Sequence, residues 1–351
     1  MKTGWGHIRA AQALEEYARQ NLPDLKIIHV DLREIEPALG KFFEIFYDIT
    51  NDRLPAVWGA VYQTFDIESI SLAFRKANGF QQLFRRRIGR YLKRLSPDGV
   101  IFTNVIPAPM VAPPCRKLFP GIPMAVVVTD YHGHSYYNVP LIDRYFVAVD
   151  GVKDDLVRVG VDKEKIEVTG IPVSQKFYAG YDPMRLKRKL GISNNFKTVL
   201  FVSRLAKDFI LPALEGIMGM GEKVNLIMVC GGNNELYRRI RNEFPPRRNF
   251  KLVNWTGRLD EYMKIADVVV GKPGGLMISE CMALGKRMVL TDPIPGQEKR
   301  NAEFMARCGG GRLALDAKQI AISVRESLHC SETGDMQSGA NASAKILEFF
   351  K

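Results

Sequence analysis

The sequence predicts an α/β protein of two Rossmann-like domains, and three observations carry that expectation. Short apolar runs of strand length, such as Met124–Asp130, Val224–Cys230 and Val268–Val270, alternate with helix-length amphipathic stretches through both halves of the chain. The segment Gly170-Ile171-Pro172-Val173, followed by Tyr181-Asp182-Pro183, interrupts that alternation as a hinge, and the pattern restarts beyond it. Finally, Val268-Val269-Val270 enters a helix through Gly271-Lys272-Pro273-Gly274-Gly275, a strand–glycine–helix turn typical of doubly wound domains. At 351 residues the chain is long enough for two separate cores.

Taken in order, Gly4-Trp5-Gly6-His7 opens a helix expected over Ile8–Arg19, and KIIHVD (Lys26–Asp31) reads as a short strand. A central strand should precede the Gly4–His7 turn in a doubly wound domain, and the sequence begins just after its place. The expectation is a first N-terminal strand missing, through a misassigned start or a shortened chain. Ile35–Leu95 reads as helical and aromatic-rich, with Phe42, Phe46, Trp58, Tyr62 and Phe65 among its rings. Strands follow at Val100–Asn104, Met124–Asp130, Arg144–Val149 and Ile166–Val168, with a helix at Gly151–Gly160. Beyond the hinge, strands at Thr198–Val202, Val224–Cys230, Phe250–Asn254, Val268–Val270 and Arg287–Thr291 alternate with helices at Phe209–Met218, Glu235–Phe244, Asp260–Ile265, Leu276–Leu284 and Ala317–Leu328. The expected domains are 1–173 and 174–339, with a C-terminal helix in 340–351 packing back on the first.

Composition narrows the class. A hydrophobic content of 46% and a charged content of 25% are those of an ordinary globular protein. Cys115, Cys230, Cys281, Cys308 and Cys330 show no metal-ligand spacing and read as reduced thiols of a cytosolic protein. No apolar run is long enough to span a bilayer, and Gly99–Cys115, with four prolines, cannot be one continuous helix. The net charge of +12 is concentrated: Arg75–Arg94 holds eight basic residues and no acid. Phe80, Phe84, Ile88, Tyr91 and Leu92 are interleaved with Arg85, Arg86 and Arg87, the make-up of an amphipathic helix that faces anionic lipid. Nucleic acid is the other polyanion such a face accepts, but no nucleic-acid motif accompanies it.

The chemistry centres on Asp267–Asn301. Free N–H groups at a glycine-led helix start, with the helix dipole behind them, make an anion seat of Gly274, Gly275 and Leu276. Glu280, in the first turns, is placed for vicinal hydroxyls of a ribose, and Gln297 and Glu298 offer polar groups to a sugar. The plain alternative is a tight turn that merely needs glycine. Arg204 or Lys272 can add positive charge, and the metal-binding DxD triplet is missing. His7, at a glycine turn, is a candidate general base or a structural cap.

The stretch KPGGLMISECMALGKRMVLTDPIPGQEKRNAEFM resembles the nucleotide-sugar signature of diacylglycerol glycosyltransferases, the galactolipid synthase and processive glucosyltransferase group. VVVTDYHGHSYYNV, with DRYFVAVDGVKDDLVRVGVDKEKIEVTGIPV after it, resembles the same enzymes, so the likeness covers nearly the whole chain. It implies the GT-B arrangement of two domains facing a cleft. It also implies inverting transfer of a hexose from a UDP-sugar co-substrate to diacylglycerol, with no cofactor and no metal, by a peripheral enzyme on the cytoplasmic side of a membrane. His7 matches the family's G-x-G-H base, and Asp130 and His134 match its aspartate and histidine. Gly274, Gly275, Glu280, Gln297 and Glu298 match its donor positions; Arg204 and Leu259 fall where phosphate and base contacts are expected. Gly6, Trp58, Arg85, Arg86 and Arg87 fall in the region that docks acceptor and membrane.

Two departures accompany the likeness. The loop Ser203-Arg204-Leu205-Ala206-Lys207-Asp208 has no glycine where relatives are glycine-rich, which implies either weaker donor binding or a phosphate contact shifted to Arg204 and Lys207. Gly257–Asp267 is about one helical turn short, which leaves base recognition at Arg258 and Leu259 open. Two alternatives stay open: a lipid II-forming GlcNAc transferase, whose signature has two glutamines at the PGQE position, and a non-catalytic membrane-binding module.

Overall fold

The computed structural model describes residues 5–37, 40–41, 78–221, 223–245, 247–330 and 339–351, with backbone alone at 5 and 78–83. The aromatic-rich stretch that includes Trp58 lies outside them. The chain divides into two compact units: Met1–Gln175 with Ile294–Arg300 and Gly339–Lys351, and Lys176–Pro293 with Asn301–Ser338.

Unit 1 begins with α1 (Trp5–Asn21), α2 (Leu32–Ile35) and α3 (Asn78–Leu95). Then come β1 (Val100–Phe102), α4 (Ala108–Leu118), β2 (Met124–Val127), β3 (Arg144–Val147), α5 (Asp150–Arg158) and β4 (Ile166–Val168). The strands form a parallel sheet in the order β1-β2-β3-β4, with Val126 opposite Phe102 and Tyr145. All four residues of β2 are buried, the mark of an interior parallel strand covered on both faces.

Two elements differ from expectation. Lys26–Asp31 is not a strand: its backbone is irregular, with Ile28 50% and Val30 38% exposed. A strand persists only when its N–H and C=O groups find a ladder, and none of the described strands pairs with this segment. Its last residue, Asp31, instead caps α2, accepting from the Arg33 N–H at 2.9 Å, with Glu34 closing a capping box. Conversely, the proline-rich run conceals α4. Pro109 occupies its first turn, where an N–H is not needed, while Pro113 and Pro114 lie inside it. Burial of Met110, Val111, Ala112 and Cys115 on one face offsets the hydrogen bonds those two prolines cannot make.

Unit 2 starts with α6 (Pro183–Leu190), capped by Asp182 and closed by Gly191 at φ 68°. It continues through β5 (Lys197–Val202), α7 (Ile210–Gly219), β6 (Val224–Val229), α8 (Asn234–Glu243), β7 (Phe250–Val253) and α9 (Leu259–Ile265). Next come β8 (Val268–Gly271), α10 (Gly275–Ala283), β9 (Arg287–Thr291), α11 (Gln297–Arg307, its first turn through Arg300 counted with unit 1), β10 (Gly311–Ala314) and α12 (Ala317–His329). The parallel sheet runs β10-β9-β8-β5-β6-β7, the doubly wound order. The order in which strands are added reverses between β5 and β8, so the ligand crevice of this topology opens beyond Val202 and Gly271. Val199, Phe201, Leu226, Met228, Val268 and Val270 form the core on one face with Ile210, Leu214, Ile320 and Val324.

The last helix, α13 (Ala342–Glu348), belongs to unit 1. Ile346 and Leu347 bury against Leu14 and Ala18 of α1 and Ala125, Val127 and Phe146 of the sheet. Gly170, at φ +86°, lets the chain pass Gly339 so closely that a Cβ there would lie 2.6 Å from the Gly339 Cα. No helix among the described residues is long and apolar enough to cross a membrane.

Candidate active site

In unit 1 the chemistry gathers beyond the carboxyl ends of β1 and β2. Gly6 and His7 lie in the first turn of α1, which begins at Trp5 rather than after His7. His7 Nδ1 lies 2.8 Å from the carbonyl oxygen of Thr103 and 2.8 Å from the hydroxyl of Thr129. A carbonyl oxygen only accepts, so in the neutral ring Nδ1 carries the proton and Nε2 carries the lone pair. Burial pushes the His7 pKa below the ordinary imidazole value, against the opposing charge of Asp130. The ring is therefore neutral at pH 7, with a basic nitrogen at Nε2.

Asp130 is buried beside it and is densely bonded. The Tyr137 hydroxyl donates to Oδ2 at 3.1 Å, and the Gln297 amide donates to both carboxylate oxygens at 2.8 Å. Gln297, expected on a sugar, thus has its amide on Asp130; Glu298 accepts from the Ile294 N–H at 2.8 Å and closes its own turn. His134 is 0% exposed; its Nδ1 accepts from the Tyr136 N–H at 3.3 Å and its ring stacks on Tyr136 at 4.4 Å. Its neighbour His132 holds Asp155 at 2.7 Å, and Asp155 also accepts from the Gly133 N–H, which anchors the turn that carries Tyr137.

In unit 2 the expected donor residues surround the switch point. Gly274 is the N-cap of α10 and offers no side chain to the first-turn N–H groups, and a Cβ there would meet nothing within 4 Å. Gly275 and Leu276 follow, and Glu280, one turn on, is 1% exposed. Lys207, after β5, and Lys272, after β8, each lie 3.6 Å from the same oxygen of Asp292, after β9. Arg204 is exposed and its stem lies over Gly231, where a Cβ would come within 2.3 Å of the Arg204 Cγ. Gly231, after β6, thus leaves room for the Arg204 stem. Leu259 is half-buried as the first residue of α9, and Arg258 precedes it.

Of the basic helix, Arg86 and Arg87 are exposed and Arg85 half-buried, while Ile88 and Leu92 are buried. Arg87 also pairs with the buried Glu36 at 3.1 Å. Among the described residues no three His, Cys, Asp or Glu side chains gather as a metal-ligand group.

Several contributors carried no sequence signal. Thr103 acts through its carbonyl, Thr129 lies just beyond β2, Tyr137 ends a short 3-10 turn, and Asp292 follows β9 without any motif of its own. Trp255 was findable: it is 66% exposed just after β7, an aromatic at the carboxyl edge where this topology binds ligands.

Known proteins resemble both halves of the chain. Residues 7–173 match the sequence model for monogalactosyldiacylglycerol (MGDG) synthase, and residues 199–351 that of the glycosyltransferase family 28 C-terminal domain. The processive diacylglycerol beta-glucosyltransferase of Staphylococcus carnosus is 29% identical over 326 residues, covering 92% of this chain and 81% of the relative. That of Staphylococcus epidermidis is 27% identical over 350 residues, covering 98% and 86%. Among solved structures, UDP-GlcNAc 2-epimerase from Neisseria meningitidis bound to UDP-GlcNAc superposes with a TM-score of 0.61 at 16% identity, over 97% of this chain and 95% of that one. MurG of Acinetobacter baumannii gives 0.52 at 16% identity, over 76% of each. These two share the fold. The two halves of the chain thus match the monogalactosyldiacylglycerol synthase model and the glycosyltransferase family 28 C-terminal model, and over nearly its whole length the chain is similar to diacylglycerol glucosyltransferases.

Proposed function

We propose that the protein transfers a hexose from a UDP-sugar to the hydroxyl of diacylglycerol, inverting the anomeric centre. The observation that carries the reading is the His7 tautomer: with Nδ1–H committed to Thr103, Nε2 is a neutral base. In the proposed step Nε2 takes the acceptor proton as the acceptor oxygen bonds to the sugar's anomeric carbon. The bond from that carbon to the UDP oxygen breaks on the opposite side, and UDP leaves as the anion. The first-turn N–H groups of α10 with Lys272 and Lys207 stabilise its diphosphate, and Glu280 accepts from the ribose hydroxyls. Asp130 orients Gln297 and the sugar-facing turn. The exposed arginines of α3 hold the enzyme peripherally on an anionic membrane surface, on the cytoplasmic side. The relatives named for diacylglycerol glucosyl transfer support the acceptor; the structural neighbour bound to UDP-GlcNAc supports a UDP-linked donor.

The test is to incubate purified protein with vesicles holding either diacylglycerol or a polyprenyl-linked sugar acceptor, and with UDP-glucose, UDP-galactose or UDP-GlcNAc in turn. Formation of a hexosyl-diacylglycerol is the expected result. Transfer from UDP-GlcNAc alone, to a polyprenyl-linked acceptor, would replace this reading with the lipid II type.

A further inference from the structure

The contact between Asp292, Lys207 and Lys272 is unexplained by the residues' expected roles. The loops after three neighbouring strands, β5, β8 and β9, each contribute one charge, and a single carboxylate oxygen stands 3.6 Å from both ammonium groups. All three side chains are about one-third exposed, so the pairing is neither buried structure nor free surface. The backbone of Asp292 is held at φ 44°, in the left-handed region, directly before Pro293. A residue before proline ordinarily adopts extended backbone, so the surrounding structure enforces this placement of the carboxylate.

We infer that Asp292 is a built-in competitor for the donor's diphosphate. Its carboxylate occupies the two lysines on which a nucleoside diphosphate depends, and it thereby sets how tightly UDP is held and how fast it departs. A pyrophosphate group arriving at the N-terminus of α10 draws Lys207 and Lys272 away from Asp292, and the carboxylate reclaims them when the product leaves. Affinity is deliberately weakened in exchange for turnover, since binding product and donor tightly without distinction does nothing for rate. The inference rests on the donor reading of unit 2 given above, and adds to it a residue that touches neither sugar nor base.

The test replaces Asp292 by Asn, which keeps the shape and tolerates left-handed backbone, and separately by Gly, which adopts it freely. UDP, uridine and inorganic pyrophosphate are titrated by calorimetry into the wild type and each variant. Both variants are expected to bind UDP and pyrophosphate about tenfold tighter, which is roughly 1.4 kcal/mol, with uridine unchanged. UDP dissociation should slow in stopped flow, and both KM for the donor and kcat should fall. Adding Lys207→Met to Asp292→Asn should cancel the gain. Equal or weaker UDP binding in both variants overturns the competitor role while leaving the donor site standing, and so does a shift shared equally by uridine. A wild type that binds no UDP removes the donor reading itself, and this inference with it.

Discussion

The Nδ1 atom of His7 and the carbonyl oxygen of Thr103 lie 2.8 Å apart, across 96 residues of sequence. That one contact fixes which imidazole nitrogen is basic, because the carbonyl has no proton to give. It ties the first turn of a helix to the end of a strand, so the proposed base is positioned by two packed elements.

The titration of His7 predicts a pH dependence. Burial holds its pKa below the ordinary 6.5, so the neutral, basic form persists to lower pH than in a free imidazole. The acid limb of kcat/KM against pH should therefore fall below pH 6.5. The folded state binds fewer protons than the unfolded one in that range, so stability falls as the pH drops below 6.5. An acid limb centred above 6.5 would contradict the assigned environment.

Asp130 supplies the charge that opposes this depression. Asp130→Asn should lower the His7 pKa further, readable as a titration midpoint at lower pH in histidine NMR, and should loosen Gln297 and Tyr137, which both donate to it. An unchanged His7 midpoint in the variant would show that Asp130 does not act on the ring.

Glu280→Gln, which preserves volume at a site only 1% exposed, should weaken UDP binding at least tenfold in calorimetry and leave pyrophosphate binding within about twofold, because the lost acceptor serves ribose rather than phosphate. Equal loss for both ligands would assign Glu280 to the phosphates or to folding.

Gly170→Ala should destabilise unit 1. The position has φ +86°, and an added Cβ falls 2.6 Å from the Gly339 Cα, so both backbone and packing resist it. The cost is about 1–3 kcal/mol, or about 2–4 °C in Tm for each kcal/mol. A variant melting with the wild type would mean that Gly170 and Gly339 do not pack this closely in solution.

The exposed charges of α3 predict membrane attachment. Each Lys or Arg near an anionic surface is worth about 1 kcal/mol, so Arg86, Arg90 and Arg94 changed together to Gln should lower partition to phosphatidylglycerol vesicles by about a hundredfold. Unaltered co-sedimentation would move the membrane face elsewhere.

The alternation of buried strands and helices in unit 2 was legible, because a parallel strand covered on both faces must be almost continuously apolar and Val224–Val229 and Val268–Gly271 are. The glycine turn into α10 was legible for the same local reason: only that backbone makes it. What escaped was set by distant partners. Lys26–Asp31 reads as a strand but finds no ladder, and α4 forms despite Pro113 and Pro114 because its buried face outweighs them. The stem of Arg204 fits only because Gly231 leaves it room, and nothing within the loop itself shows that. The lysines drawn to Asp292, and the amide of Gln297 drawn to Asp130, likewise depend on residues far along the chain.

The central claim is that Nε2 of His7 takes the acceptor's proton, and His7→Gln tests it most directly. Hexose transfer from the best UDP-sugar to diacylglycerol is measured beside UDP affinity, in the wild type and the variant. The account predicts that transfer falls by about 10²–10⁴-fold while UDP affinity stays within about twofold. Transfer at the wild-type rate by a variant that binds UDP normally would place the base on another residue.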